Sequence, residues 1–216
     1  MTHKPRPPFV IRRAEPRDAE ALYEICLLTA DSGVDASALY SDRRMPGYIW
    51  AAPYGELEPD FAFVLADGDR VVGYVVGTPD TVAFEARLER DWWPKVRQAV
   101  AGMTPQKPFD EGVLRRIAAP EKHDIALSEY PAHLHINLLP EAQSGGWGRR
   151  MIDTDIKTVP REMAPSDART TTKAIAPISP AAYASQPAAC TTRTRTASVA
   201  LRPSTTAVSL RCSAAM

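Results

Sequence analysis

Apolar and polar residues alternate through Ala132–Leu138, where Leu134, Ile136 and Leu138 are set against His133, His135 and Asn137. A period of two predicts a strand. Pro140 breaks the pattern, a turn with three glycines follows, and Arg149, Arg150, Met151 and Ile152 restart it as a helix. Two apolar runs, 61–67 (FAFVLAD) and 71–78 (VVGYVVGT), flank Asp67-Gly68-Asp69. Asp-Gly is a strong hairpin-turn signal, so these runs are predicted to pair. Gly73 and Gly77 inside the second run predict a bulge or close packing. Residues 9–13 (FVIRR) read as a short strand. Pro16 and Asp18 then open a helix that carries Ala21, Leu22, Ile25 and Leu28 on one stripe and stops near Ser32-Gly33. Phe84, Leu88, Trp92, Val96 and Val100 recur every fourth residue and predict a helix over 81–102, kinked or divided at Pro94. Asp110–Ala118 reads as a further short helix.

Elsewhere the periodicity fails. Residues 34–59 crowd Tyr40, Tyr48, Trp50 and Tyr54 among prolines and glycines, as an aromatic-rich loop packed on the domain or as one wall of a pocket would. Trp92-Trp93 reads as core and lid packing. Residues 1–8 are polar and proline-rich, a flexible tail. Beyond Asp153 the chain changes character: Ala, Ser, Thr and Pro dominate, no glycine follows Gly148 and no acid follows Asp167. That composition predicts a low-complexity tail over 154–216, disordered or produced by a change of reading frame. Translating the other frames of the coding DNA tests the second alternative.

Composition narrows the class. The formal net charge is +0 and the pI about 6.9, so no basic excess points to nucleic acid or to a membrane surface. Cys26, Cys190 and Cys212 are too few and too scattered for a disulfide framework or a C-x-x-C metal site. No apolar run spans a bilayer, and the start of the chain has no signal-peptide core, so a cytoplasmic protein is expected. His133-x-His135 supplies two zinc-ligand types on one strand face, but no third or fourth ligand is evident, and no metal is expected.

The glycine turn carries the chemistry. A strand, a glycine loop and a helix start converge backbone N–H groups on an anion, and the helix dipole favours a phosphate. The spacing Gln143-x-x-Gly146-x-Gly148 fits neither G-x-G-x-x-G nor the Walker pattern. It resembles motif A of the GNAT superfamily, the acetyl-coenzyme A-dependent N-acetyltransferases. The phrase HINLLPEAQSGGWGRRMID is most similar to bacterial relatives of the acetyltransferase-like domain attached to O-GlcNAcase. The opening I-R-R-A-x-P-x-D-A-E resembles the first GNAT strand and helix, and V-V-G-Y the second strand of the GNAT central hairpin.

The resemblance covers about 9–153. It implies an α/β fold, a GNAT-like mixed central sheet flanked by helices, with an insertion of roughly fifty residues before the motif-A strand, far longer than connections of about 4–6 residues, and an incomplete C-terminal half. It implies acetyl-CoA as co-substrate, held by Gln143, Ser144, Gly145, Gly146, Trp147, Gly148 and Arg149, with a backbone N–H near Leu138 or Leu139 donating to the thioester carbonyl. The acceptor is expected to be a primary amine on a small molecule or a peptide, and the chain a possible homodimer. Relatives of this subgroup carry a carboxylate where Asn137 stands, and asparagine takes no proton at neutral pH. His135 and Glu141 are therefore the candidate bases. The alternatives are a coenzyme A-binding module without turnover, or a truncated product without function.

Overall fold

The computed structural model describes residues 9–121, 131–143 and 145–158, together with the backbone of 197–201. β1 (Val10–Arg13), β2 (Ala62–Asp67), β3 (Arg70–Thr78), β4 (Ala132–Leu138) and β5 (Ala197–Leu201) build one sheet in that spatial order. The hairpin forms as the Asp-Gly turn predicts: Ala62 faces Val76 and Asp67 faces Arg70. All four ladders are antiparallel, so among the described strands no parallel pair makes the sheet mixed.

β3 and β4 form the centre of the sheet, and their register orders everything around it. Gly73 faces Leu138, Tyr74 faces Asn137, Val76 faces His135 and Thr78 faces His133. Side chains alternate between faces. One face therefore carries Tyr74, Val76, Thr78, His133, His135 and Asn137; the other carries Gly73, Val75, Gly77, Leu134, Ile136 and Leu138. Helices α1 (Ala19–Leu27), α2 (Gly47–Trp50) and α3 (Ala52–Leu57) cover the first face, and α7 (Trp147–Thr158) covers the second. With helices on both sides the two strands read as near-continuous apolar runs. Tyr74, Phe84, Leu22, Leu65, Leu134 and Met151 are fully enclosed between the layers; each such side chain contributes about 1.5–3 kcal/mol of transfer free energy.

The segment expected to be an aromatic loop contains α2 and α3, and Tyr40, Tyr48 and Tyr54 are all buried. Tyr54 stacks on Phe84 with ring centroids 4.5 Å apart. The insertion between β3 and β4 contains α4 (Thr81–Arg87), a π-helical turn (Leu88–Trp92), α5 (Trp93–Ala99) and α6 (Asp110–Ala118). Pro94 divides the long helix, but by an unexpected route. Lacking an N–H, it cannot continue the α ladder, and the preceding turn widens to π spacing. That places both Trp92 and Trp93 in a second core with Leu27, Tyr40, Met45, Val113 and Ile117.

Asp110 ties this second core together. It is fully enclosed and accepts hydrogen bonds from Ser41 N (2.9 Å), Ser41 Oγ (2.6 Å), Gln106 N (2.9 Å) and Lys107 N (2.9 Å). Lys107 Nζ donates to the carbonyls of Ser37 (2.9 Å) and Tyr40 (2.8 Å). α7 starts at Trp147, two residues before the expected Arg149, and runs on through Thr158. The expectations for residues 1–8 and for most of 154–216 lie outside the described residues.

Candidate functional site

The site is built where β4 ends. Leu139 N–H donates to the Val72 carbonyl at 2.9 Å. Successive residues of an antiparallel strand turn their backbone groups to opposite edges. Leu139 is thus committed to β3, and the N–H and carbonyl of Leu138 face the outer edge. β5 pairs with β4 only as far as Ile136, so Leu138 lies beyond the paired stretch. The Leu138 carbonyl accepts from Gln143 Nε2 at 2.9 Å, which folds the turn back onto the strand end. Of the two candidate thioester donors, the geometry favours Leu138.

Pro140–Ala142 make a 3₁₀ turn, with Ala142 N–H on the Leu139 carbonyl at 2.8 Å. Gly145 (φ 78°) and Gly146 (φ 75°) follow in the left-handed region that only glycine enters without strain. This reversal leads directly into α7, whose first ladder bond is Arg150 N–H to the Gly146 carbonyl at 3.2 Å. The N–H groups of Trp147, Gly148 and Arg149 precede that bond and form the positive end of the helix. A Cβ on Gly148 would stand 3.5 Å from Leu138 Cδ1, so the helix start is seated closely on the strand end. Phe9 packs edge-on against Trp147 at 5.6 Å, and the Arg150 guanidinium lies 4.7 Å above the same ring. Arg149 pairs with Asp153 at 3.6 Å. Gln143, Gly145, Gly146, Trp147, Gly148 and Arg149 thus share one turn and helix start beside Leu138; Ser144 lies outside the described residues.

The opposite face holds a buried polar row. His133 Nδ1 lies 2.8 Å from Thr81 Oγ1, and Nε2 lies 2.7 Å from the Tyr54 hydroxyl. Thr81 Oγ1 donates to the Pro131 carbonyl at 2.7 Å. It therefore accepts from His133, whose proton sits on Nδ1, and Tyr54 donates to Nε2. His135 Nδ1 lies 3.2 Å from the Tyr74 hydroxyl. Burial pushes the His135 imidazole down to about 4, so it is neutral at pH 7. The ring is buried against Tyr74, and this does not fit the expected role of proton acceptor for a substrate. Glu141 sits exposed on the 3₁₀ turn and pairs with Arg70 at 2.6 Å. The structure brings Glu141 to the loop end and leaves His135 in the core; the two do not form one constellation. Among the described residues no group of three or more His, Cys, Asp or Glu gathers as a metal site.

Tyr74 and Cys26 were not foreseen in this row. Both are enclosed in the same core. The signal was present only in the strand pairing: Tyr74 stands opposite Asn137 once the register is fixed.

No family model matches the chain. It is similar to Protein O-GlcNAcase of Rattus norvegicus and of Mus musculus, 24% identical over 139 residues in each case. The match covers 60% of this chain and 14% of each relative, so the chain spans about one seventh of their length. Among solved structures, the crystal structure of SsHAT superposes with a TM-score of 0.66 at 38% identity, covering 72% of this chain and 79% of that one. An agmatine N-acetyltransferase mutant in its apo form aligns at a TM-score of 0.36 and 19% identity, too low to support an inference.

Proposed function

Because the chain belongs to the GNAT superfamily, we propose that it transfers an acetyl group from acetyl-coenzyme A to a primary amine. The observation that carries this reading is the strand end, glycine reversal and helix start joined as one unit, with Leu138 N–H at its side. The N–H groups of Trp147, Gly148 and Arg149 hold the pyrophosphate, and Gly145 and Gly146 keep Cβ atoms away from it. Acetyl-coenzyme A supplies the acetyl group as a thioester: the amine nitrogen forms the C–N bond, the C–S bond breaks, and the thiol leaves with the proton the amine gives up. Leu138 N–H donates to the carbonyl oxygen as charge builds on it. His135 takes no proton in this scheme, since its ring is buried against Tyr74. The amine arrives neutral through solvent, or through Glu141 if Arg70 releases it. No described helix is long and apolar enough to cross a membrane, and we place the reaction in the cytoplasm.

Isothermal titration of the full chain with acetyl-coenzyme A tests the first half. Gly146→Ala is expected to weaken binding at least tenfold. A Cβ at Gly146 meets nothing within 4 Å in the protein, so the loss comes from the φ of 75° and from crowding the phosphate. The fold itself is expected to lose only about 1 kcal/mol. Thioester turnover against a panel of monoamines, diamines and lysine peptides tests the second half. A second reading, a coenzyme A-binding module without turnover, is favoured by the enclosure of His135; binding without thiol release for any amine would establish it.

A further inference from the structure

The turn that presents the helix-start N–H groups has little of its own to hold its shape. Gly145 (φ 78°) and Gly146 (φ 75°) bring no side chains to it, and a Cβ on Gly146 would meet nothing within 4 Å. Glycine also has the most backbone freedom to lose on ordering. Gln143 fastens the entry of the turn, before the glycines, to the Leu138 carbonyl. The exit is fastened by Trp147, the first residue of α7. Its indole folds back on the turn: a Cβ on Gly145 would stand 3.5 Å from Trp147 Nε1. The Arg150 guanidinium lies 4.7 Å over the same ring, and Phe9 meets it at 5.6 Å with the two planes at 67°. Arg150 belongs to α7 and moves with it. Phe9 ties the indole to another element, the entry of β1.

Strand register explains why Phe9 can reach the helix. Ile11 faces Leu65, and Leu65 faces Gly73 on the side of the sheet that α7 covers. Phe9 stands two residues before Ile11 and follows the same alternation. Phe9 and Trp147 are both half-buried and pack against the first core, so their contact is anchored at each end. We propose that Phe9 is a positioning residue for acetyl-coenzyme A: through Trp147 it holds the Gly145-Gly146 reversal and the first N–H groups of α7 in the geometry that meets the pyrophosphate. The proposal rests on the transferase reading above. Phe9 touches no ligand and takes part in no bond-making step. A turn that is already ordered in the free protein spares the ligand the cost of ordering it, so the bracket acts on affinity and not on chemistry.

The test is isothermal titration of the full chain, native and variant, with acetyl-coenzyme A. Phe9→Ala is expected to raise Kd about fivefold, the worth of one edge-to-face aromatic pair, and Phe9→Tyr, which keeps the ring, to stay within about twofold of the native chain. Val113→Ala, a truncation in the second core, separates positioning from a general loss of stability: it destabilises the fold and is expected to leave Kd within about twofold. In turnover, Phe9→Ala is expected to raise the KM for acetyl-coenzyme A while kcat and the KM for the amine stay within about twofold. Should the alanine variant fail to fold, Phe9→Leu decides: it keeps an apolar side chain without the ring edge and is expected to raise Kd about threefold. An unchanged Kd in the alanine variant, or in the leucine variant where the alanine variant does not fold, would overturn the proposal. So would an equal rise in Val113→Ala, a tyrosine variant as weak as the alanine one, or a loss confined to kcat or to the amine. Failure of the native chain to bind acetyl-coenzyme A overturns the transferase reading, and this inference with it. Native binding that is indifferent to Phe9 overturns this inference alone.

Discussion

Gly77 lies where β3 passes closest to the β4 backbone: a Cβ there would stand 2.9 Å from the His133 carbonyl oxygen, 3.1 Å from Leu134 Cβ and 3.2 Å from Asp155 Oδ2. Two of those atoms belong to a strand held by ladder bonds on both sides, so neither yields easily. Gly77→Ala is expected to cost about 1–3 kcal/mol, the range of overpacked core positions, measured by denaturant unfolding at constant m-value. The same substitution at Gly112, where a Cβ meets nothing within 4 Å, is the control and should be neutral or slightly stabilising, since alanine is the better helix former. A close approach at Gly73 and Gly77 was legible from glycines interrupting an apolar strand. The alternation of His133, His135 and Asn137 was legible too. What a single strand could not show was their partners. Tyr54 and Tyr74 come from α3 and β3, and only the pairing register decides that His135 is shut in while Asn137 keeps an oxygen unpaired among the described residues.

At the scale of elements, the insertion shares the second core and is tied to the rest of the fold at the start of α6. α6 docks on the segment before α2 through Asp110 and Lys107, across 69 positions of sequence from Ser41 to Asp110. Burial works to raise the Asp110 carboxyl, but hydrogen bonds from Ser41, Gln106 and Lys107 outweigh it and hold it below its ordinary value. Removing the acceptor leaves those N–H groups unmet in a closed site, at about 1–3 kcal/mol each. Asp110→Ala is therefore expected to destabilise by roughly 3–5 kcal/mol and to open the loop between α5 and α6 to limited proteolysis before the sheet unfolds; simultaneous loss of all fragments would refute that order. The sequence reading placed α6 at Asp110–Ala118, where it is found, because apolar spacing and an acidic first turn both announce it. It missed α2 and α3, which are four and six residues long. Helices that short draw their stability from tertiary packing, here from Tyr48 and Tyr54 entering two different cores, and no local period can reveal them. The π turn was invisible for a related reason: apolar residues every fourth position look the same until Pro94 forces the extra residue in.

Across the whole molecule, two buried groups on opposite faces of the sheet titrate against each other. Asp155 lies on α7 over Gly77, four residues after Met151, where the buried helix face calls for an apolar side chain. Its Oδ1 has no hydrogen-bond partner among the described residues, and burial raises its carboxyl to about 7. Between its ordinary value near 3.8 and about 7 the unfolded chain has lost this proton and the folded chain keeps it, so Asp155 makes stability fall as pH rises. His135 does the reverse: with 6.5 unfolded and about 4 folded, the unfolded chain binds the extra proton in that interval, so stability falls as pH drops. The two windows overlap from about 4 to about 6.5 and the slopes cancel, each being roughly 1.4 kcal/mol per pH unit. Below that window Asp18, held low by its hydrogen bonds from Arg12 against the effect of burial, and Asp110 both lose their stabilising charge. The melting temperature of the native chain is accordingly expected to be nearly level from pH 4 to 7 and to drop in acid. Asp155→Asn keeps the shape and removes one of the two titrations, so the variant should gain stability toward neutral pH and acquire a slope between 4 and 6.5 that follows His135 alone. A level profile in Asp155→Asn would show that His135 contributes no such slope, whereas the same rising slope in the native chain and in the variant would show that the Asp155 carboxyl is already ionised across this interval in the folded chain.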